Sequence, residues 1–240
     1  IGRKLHAAGA SIVVHFHQSR IAADALVADC EAARAGSALA VCADLHDADR
    51  LPALIDAALG RFGRLDVLVN NHAEQHMADP PEELTPARVR KTFETNVFSF
   101  FHLIDAALPH LKKGSSILNT ASVVAARGHD VLIDYAASKG AVQALTFSLA
   151  KALAKRGIRV NAVAPGPIWT VLQPSGGQPA EKIPDFGGHT PMKRPEFIRL
   201  NIRDIPREII DEYKLNDIVD TDGSIYLQAN KGMYGLPHAG

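Results

Sequence analysis

Short apolar stretches alternate with longer segments of helical periodicity along most of this chain. The short stretches are rich in β-branched residues and predict five strands, at Ser11–Phe16, Ala38–Cys42, Leu65–Val69, Ser116–Thr120 and Ile158–Val163. Between them apolar residues recur every three or four positions, which predicts helices at Ile21–Ala35, Ala48–Phe62, Pro86–Leu111 and Tyr135–Arg156. This alternation indicates an α/β fold with a doubly wound parallel sheet, in which ligands bind beyond the carboxyl ends of the strands.

The alternation stops after Pro165. The Pro-, Gly- and polar-rich segment from Trp169 to Pro195 is longer than an ordinary connection, and we expect it to cover a substrate site. From Glu196 onward the strand–helix rhythm is absent and the chain ends in a Gly-rich stretch. We therefore divide the chain into a domain at residues 1–195 and an unrelated segment at residues 196–240.

Composition narrows the classes of partner. Lys plus Arg and Asp plus Glu number 26 each, so no net field favours nucleic acid or an anionic membrane surface, and a small molecule is the expected partner. The two cysteines, Cys30 and Cys42, are too few for a disulfide framework. His15 and His17 share a strand face without a third ligand at suitable spacing, so we predict no metal site. No stretch is long and apolar enough to span a membrane, and we expect a cytoplasmic protein.

One cluster of residues suggests proton transfer. Tyr135 and Lys139 lie four positions apart, which places them on one face of a helix, and an ammonium near a phenol lowers its pKa. Ser122 follows a strand end, where its hydroxyl could hold a substrate oxygen. Hydride reduction of a carbonyl leaves negative charge on oxygen, so it needs a proton donor of this kind.

These residues resemble the Ser and Tyr-x-x-x-Lys set of the short-chain dehydrogenase/reductase family. The other matches stand in family order: Asn70-Asn71, Asn96 and Asn161-Ala-Val-Ala-Pro-Gly166. The resemblance implies an oxidoreductase in which Tyr135 donates the proton and Lys139 lowers its pKa and binds the nicotinamide ribose. It also implies that Ser122 orients the substrate and that Asn96 holds a water of the proton relay.

The resemblance further implies a nicotinamide cofactor. The end of the first strand reads Phe16-His17-Gln18-Ser19-Arg20, where a family member that binds NAD usually has a carboxylate, so NADPH is favoured over NADH. Asp44 either contacts adenine or is the N-cap of the next helix, and the sequence leaves both open. The implied cofactor contacts are Gly2, His17, Ser19, Asp44, Leu45, Asn71, Tyr135, Lys139, Gly166 and Ile168.

Within the family, the chain resembles two different groups. Near the N-terminus it is similar to pteridine reductases, and beyond Asn71 it is similar to reductases of the general-stress type.

The sequence also departs from the family pattern in its strands. The family's first strand, which lies between the strands at Ser11 and Leu65, is missing, so we expect a Rossmann-like sheet that lacks its first and last strands. Because a central strand contributes roughly 5–10 kcal/mol, the chain as written should be marginally stable or unfolded on its own.

The C-terminal segment carries a second resemblance. Ile209–Tyr213 and Lys231–Pro237 are similar to a stretch of a retroelement reverse transcriptase, although a divergent amphipathic tail stays open as an alternative. Family members are usually homo-oligomers, but the last strand of the family, which often forms a dimer interface, is absent here. Two hypotheses follow: an NADPH-dependent reductase of a small carbonyl or imine, or an inactive truncated or chimeric remnant that binds no cofactor.

Overall fold

A computed structural model describes residues 1–167 and 172–177 and the backbone of two further strands at 197–201 and 224–228. The chain divides into two compact units. The first unit comprises Ile1–Glu74 and Ala78–Ala164, and the second comprises Gln75–Met77 and Pro165–Gly240. All of the proton-transfer residues expected from the sequence belong to the first unit.

Five parallel strands form the first unit's sheets. They are β1 Ile12–Phe16, β2 Ala38–Cys42, β3 Val67–Asn70, β4 Ser116–Thr120 and β5 Arg159–Val163. Each lies within two residues of its predicted position, and β2 and β4 coincide with the prediction. Their β-branched and aliphatic side chains suit strands that are covered on both faces.

Seven α-helices of the first unit connect and cover these strands. They are α1 Gly2–Ala7, α2 Arg20–Ala33, α3 Pro52–Phe62, α4 Pro86–Phe93, α5 Ser99–Ala107, α6 Val124–Arg127 and α7 Ile133–Leu153. Three short 3₁₀ turns lie at Ala48–Arg50, Pro81–Glu83 and Ala154–Arg156. The short helix α6 and the turn at Pro81–Glu83 have too few residues to show a period in the sequence.

The strands pair as two separate parallel sheets. One sheet holds β1 and β2, with Ile12 opposite Ala38, and the other has the order β3–β4–β5. In the described part of the chain no strand is hydrogen-bonded between β1 and β3. The alternation predicted one doubly wound sheet, whereas the described residues of the first unit form two parallel sheets with a break between β1 and β3.

The main core lies around β3, β4 and β5 and the helices that pack on them. Phe100, Ile117, Val142 and Leu51 are fully buried there, each 0 % exposed. A smaller cluster of Ile12, Cys30 and Ala38 lies under α2. The apolar stripes of α5 and α7 thus hold the second sheet, whose β4 and β5 lead to the expected site.

The segment predicted as one helix at Pro86–Leu111 has an internal interruption. It begins at α4, where the Thr85 hydroxyl accepts a hydrogen bond from the backbone N–H of Arg88 at 3.3 Å, and Pro86 occupies the first helical turn. A π-helical turn then runs over Glu94–Phe98, and α5 follows and ends at Ala107. The predicted end at Leu111 was too late: α5 ends at Ala107, and Pro109 follows its C-cap residue Leu108, where proline cannot continue the helix.

The second unit contains α8 Leu172–Ser175 and an antiparallel pair of strands, β6 Phe197–Asn201 and β7 Ser224–Gln228, in which Phe197 is opposite Gln228. Within this unit the Met77 N–H donates to the carbonyl of Gly176 at 3.2 Å. The division at residue 195 remains a prediction. Of the segment from Trp169 to Pro195, predicted to cover the substrate, only residues 172–177 are described.

Candidate active site

Ser122, Tyr135 and Lys139 meet beyond the carboxyl end of β4. Ser122 follows this strand by two residues, and Tyr135 and Lys139 stand one turn apart in the first half of α7. The Ser122 hydroxyl is near enough to the Tyr135 phenol to lower its pKa. Tyr135 is 8 % exposed and Lys139 is fully buried. The three side chains that the sequence grouped by family order therefore form one cluster.

The Lys139 ammonium is held inside this cluster by the backbone of β4. Its Nζ donates to the carbonyl oxygen of Thr120 at 2.7 Å. It also lies 5.7 Å from the ring centroids of both Phe100 and Tyr135, a cation–π distance. Burial lowers the pKa of Lys139 to about 7, so its proton is labile near neutral pH.

The same burial acts in the opposite direction on the phenol. Desolvation raises the pKa of Tyr135, and the nearby Ser122 hydroxyl lowers it to a smaller extent. Tyr135 is consequently a neutral phenol with a proton to donate in this structure. Burial, and not the charge of Lys139, is the largest influence on its pKa.

Asn96 lies in the π-helical turn and joins the turn to two other segments. Its side-chain amide donates to the carbonyl of Glu74 at 2.8 Å and to the Ser138 hydroxyl at 3.0 Å, while its oxygen accepts from the Glu74 N–H at 2.7 Å. Both amide donors are thus used within the protein. π-helical turns often occur at functional sites, and this one orients Asn96 toward the loop after β3 and toward α7.

The residues expected to bind the cofactor occupy the ends of the strands. His17 and Ser19 follow β1 and are exposed, and Asn71 follows β3 and accepts a hydrogen bond from the Thr120 hydroxyl at 2.9 Å. Leu45 is partly buried and packs against the main core. Gly2 opens α1. Gly166 belongs to the second unit, and Ile168 lies outside the described residues.

Asp44 follows β2 but caps no helix. The next α-helix, α3, begins eight residues later at Pro52, so the N-cap alternative was wrong. The Asp44 carboxylate instead accepts hydrogen bonds from the backbone N–H and the ring of His46, both at 3.0 Å, and lies 3.9 Å from the His17 ring. The hydrogen bond from the His46 backbone is the main cause of its lowered pKa.

A histidine cluster beside Lys139 was not foreseen as part of the site. The His72 ring packs edge-on against Phe100 at 4.7 Å and lies 6.5 Å from the His15 ring. Its Nε2 lies 2.7 Å from the Ser99 hydroxyl. Burial, with Lys139 and His15 nearby, lowers the pKa of His72 to about 3, so this imidazole stays neutral.

The sequence prediction missed two groups of the site, and only one of them carries a signal in the sequence. The Thr120 carbonyl, which holds Lys139, is a backbone atom, and any residue at the end of a strand supplies one. Ser138 could be found from its position, because it stands three residues after Tyr135 and therefore on the same face of α7. Across the described ranges, no group of three or more His, Cys, Asp or Glu side chains is placed to hold a metal ion.

Comparison with known proteins agrees with this geometry. A family model described as enoyl-(acyl carrier protein) reductase matches residues 1–199. The chain belongs to the short-chain dehydrogenase/reductase family. The family match leaves residues 200–240 outside it, and it does not test the resemblance of that segment to a reverse transcriptase.

Individual members of the short-chain dehydrogenase/reductase family show the same relationship. The chain is 49 % identical over 156 residues to NADPH-dependent aldehyde reductase 1 of Arabidopsis thaliana, over 65 % of this chain and 54 % of the relative. It is 44 % identical over 157 residues to general stress protein 39 of Bacillus subtilis, over 65 % of this chain and 54 % of the relative. The expected similarity to general-stress reductases is confirmed.

A solved structure supports the fold. A short chain dehydrogenase from Burkholderia cenocepacia in complex with NADP is 34 % identical and superposes with a TM-score of 0.68, over 76 % of this chain and 74 % of that one. The Rossmann-like fold class is thereby confirmed. The chain spans about half the length of the curated relatives it matches. Among the helices of the described part, none has the length and apolar character needed to cross a bilayer.

Proposed function

We propose that this short-chain reductase transfers hydride from NADPH to a small carbonyl or imine substrate, with Tyr135 as the proton donor. The observation that carries the proposal is the buried cluster beyond β4. There the neutral Tyr135 phenol is near the Ser122 hydroxyl, which lowers its pKa, and lies beside a Lys139 ammonium held by the Thr120 carbonyl.

Each residue of the cluster has a role in the proposed reaction. The bound nicotinamide would supply the hydride. As negative charge develops on the substrate oxygen, the Ser122 hydroxyl would hold that oxygen and the Tyr135 phenol would give it a proton. Lys139 would stabilise the resulting phenolate and return a proton to it. The side chain of Asn96 already bonds Glu74 and Ser138, so any water held at Asn96 would be bound mainly by its backbone.

The residues at the end of β1 fit a phosphorylated cofactor. His17 and Ser19 are exposed donors, and the stretch Phe16–Arg20 carries no carboxylate to repel a 2′-phosphate. Arg20 lies close by, although its Nε is 3.3 Å from the Asp24 carboxylate, which partly offsets its charge. The names of the relatives point the same way, since one is an NADPH-dependent aldehyde reductase and another was solved with NADP.

Tyr135→Phe tests the role of the phenol. NADPH consumption is measured with a panel of small aldehydes, ketones and imines, and cofactor affinity is measured by fluorescence titration with NADPH and NADH. The variant should lose roughly 10²- to 10⁴-fold in turnover, because the substitution removes the phenolic hydroxyl that supplies the proton. Its NADPH affinity should stay within a few-fold of the parent.

Ser148→Ala provides a matched control, because it removes an exposed hydroxyl from the same helix. It should leave both turnover and NADPH affinity close to those of the parent. Equal loss of turnover and affinity in Tyr135→Phe would mean that the tyrosine is structural. Absence of NADPH binding at millimolar cofactor would favour the alternative, a remnant without cofactor binding.

A further inference from the structure

The start of helix α7 is stabilised in an unusual way, by a buried carboxylate within its first turn. The N-cap residue, Leu132, offers no side-chain hydrogen bond to the helix. Instead Asp134, which is 2 % exposed, accepts the backbone N–H of Tyr135 through Oδ1 at 2.9 Å. A negative charge at a helix N-terminus is stabilised by the exposed N–H groups and the helix dipole. This carboxylate therefore binds the backbone of the residue that carries the proposed proton donor.

The other oxygen of the same carboxylate is held by helix α4. The Thr92 hydroxyl, fully buried, donates to Asp134 Oδ2 at 2.7 Å. The Arg88 Nε lies 3.6 Å from that oxygen. A buried carboxylate is stable when its oxygens are hydrogen-bonded and its charge is paired, and this one has both. Through Asp134, helix α4 is thus connected to the first turn of α7.

A second set of hydrogen bonds holds the backbone carbonyl of Tyr135. The Ser138 hydroxyl donates to the carbonyl of Tyr135 at 2.7 Å and accepts from the Asn96 amide at 3.0 Å. The backbone N–H of Tyr135 is therefore bound through Asp134, and its backbone carbonyl through Ser138. Both peptide groups of the tyrosine are fixed to the α4–α5 segment.

We propose that Asp134 and Thr92 are positioning residues for Tyr135, a role that rests on the proposed function. The phenol oxygen lies at the far end of its side chain, so a small tilt of the first turn of α7 displaces it substantially from Ser122. Misplacement of a reacting group by about 1 Å can reduce turnover about 10²-fold. The Thr92 hydroxyl acts through Asp134 and touches neither Ser122 nor Lys139 in the hydrogen bonds of the described residues.

Three threonine variants of the full chain test the proposal. Thr92→Val removes the hydroxyl at nearly constant volume, and Thr92→Ser retains it. Thr146→Val is the matched control. Thr146 is a buried threonine of α7, 4 % exposed, whose hydroxyl accepts from Asn119 at 3.0 Å and donates to the carbonyl of Val142, well beyond the first turn. Turnover, NADPH affinity and the thermal midpoint are measured for each.

Thr92→Val should lose roughly ten- to a hundred-fold in turnover while its NADPH affinity changes by less than about two-fold. Thr92→Ser should restore turnover to within about three-fold of the parent. Thr146→Val should lower the thermal midpoint about as much as Thr92→Val does. Its turnover should nevertheless stay within about three-fold of the parent. Equal losses of turnover in Thr92→Val and Thr146→Val, or unchanged turnover in Thr92→Val, would overturn the positioning role.

A second measurement keeps this proposal separate from the proposed function. The tyrosinate absorbance of the parent minus that of Tyr135→Phe reports the ionisation of this phenol without any turnover. Because the nearby Ser122 hydroxyl lowers the pKa of Tyr135, a phenol displaced from Ser122 in Thr92→Val should ionise at higher pH. An unchanged ionisation would overturn the positioning role even if the chain shows no reductase activity. Absence of activity in the parent would contradict the proposed function alone.

Discussion

Replacement of Lys139 by Met should stabilise the protein at neutral pH while it removes turnover. The substitution keeps the length of the side chain and deletes a fully buried charge whose pKa burial lowers from 10.5 to about 7. An amine whose pKa falls on folding binds its proton less tightly in the folded state than in the unfolded state. The free energy of unfolding therefore rises with pH between the folded and unfolded pKa values, and the penalty is largest below about pH 7.

The two pKa values set the magnitude. At pH 7 the buried ammonium costs about 4 kcal/mol relative to the unfolded chain. Its removal leaves the Thr120 carbonyl without the lysine donor, which offsets about 1–3 kcal/mol of the gain. Lys139→Met should then raise the free energy of unfolding by about 1–3 kcal/mol at pH 7, a thermal midpoint higher by roughly 2–12 °C.

The assay is thermal or urea unfolding followed by circular dichroism at two pH values. Between pH 7 and pH 9.5 the penalty of the buried ammonium falls by about 3 kcal/mol, so the advantage of the variant should disappear or reverse. Lys151→Met, at an exposed position of the same helix, is the control and should change the midpoint little at either pH. A loss of stability at pH 7, or a gain that is equal at both pH values, would refute the burial of this charge.

Two further predictions concern the folded state. His72 is partly buried, and its pKa is about 3 in the folded chain against 6.5 in the unfolded chain. The neutral imidazole therefore costs no stability above about pH 6.5, and the free energy of unfolding decreases as the pH falls below that value. The parent should lose up to about 2 kcal/mol between pH 7 and pH 5, and urea unfolding of His72→Ala should show little of this acid sensitivity. Ile117→Ala should destabilise by about 2–5 kcal/mol, because Ile117 is 0 % exposed in β4, whereas Ile21→Ala, at a position 88 % exposed, should change the urea midpoint little. Similar losses for the two isoleucine variants would contradict the assigned core.

The local sequence was sufficient to predict the five strands of the first unit and the central part of the site. The strands β2 and β4 coincide with their predicted bounds, because a short β-branched stretch between polar turns has few alternatives. Tyr135 and Lys139 were grouped correctly, since a spacing of four on a helix places two side chains on one face in any fold. Ser122 joined them through the order of family motifs, and the family match confirms membership of the family, while the role of Ser122 stays a prediction.

Only the tertiary structure decided the contacts between segments that are distant along the chain. Three features depend on how α4 and α7 pack beyond β4. They are the π-helical turn at Glu94–Phe98, the hydrogen bond from Lys139 to the Thr120 carbonyl, and the hydrogen bond between Asp134 and Thr92. The direction of the Tyr135 pKa shift also differs from the sequence expectation, because burial depends on packing and outweighs the spacing of one lysine. The sequence by itself determined which groups can exchange a proton, and the fold determined their burial, their partners and therefore their charge.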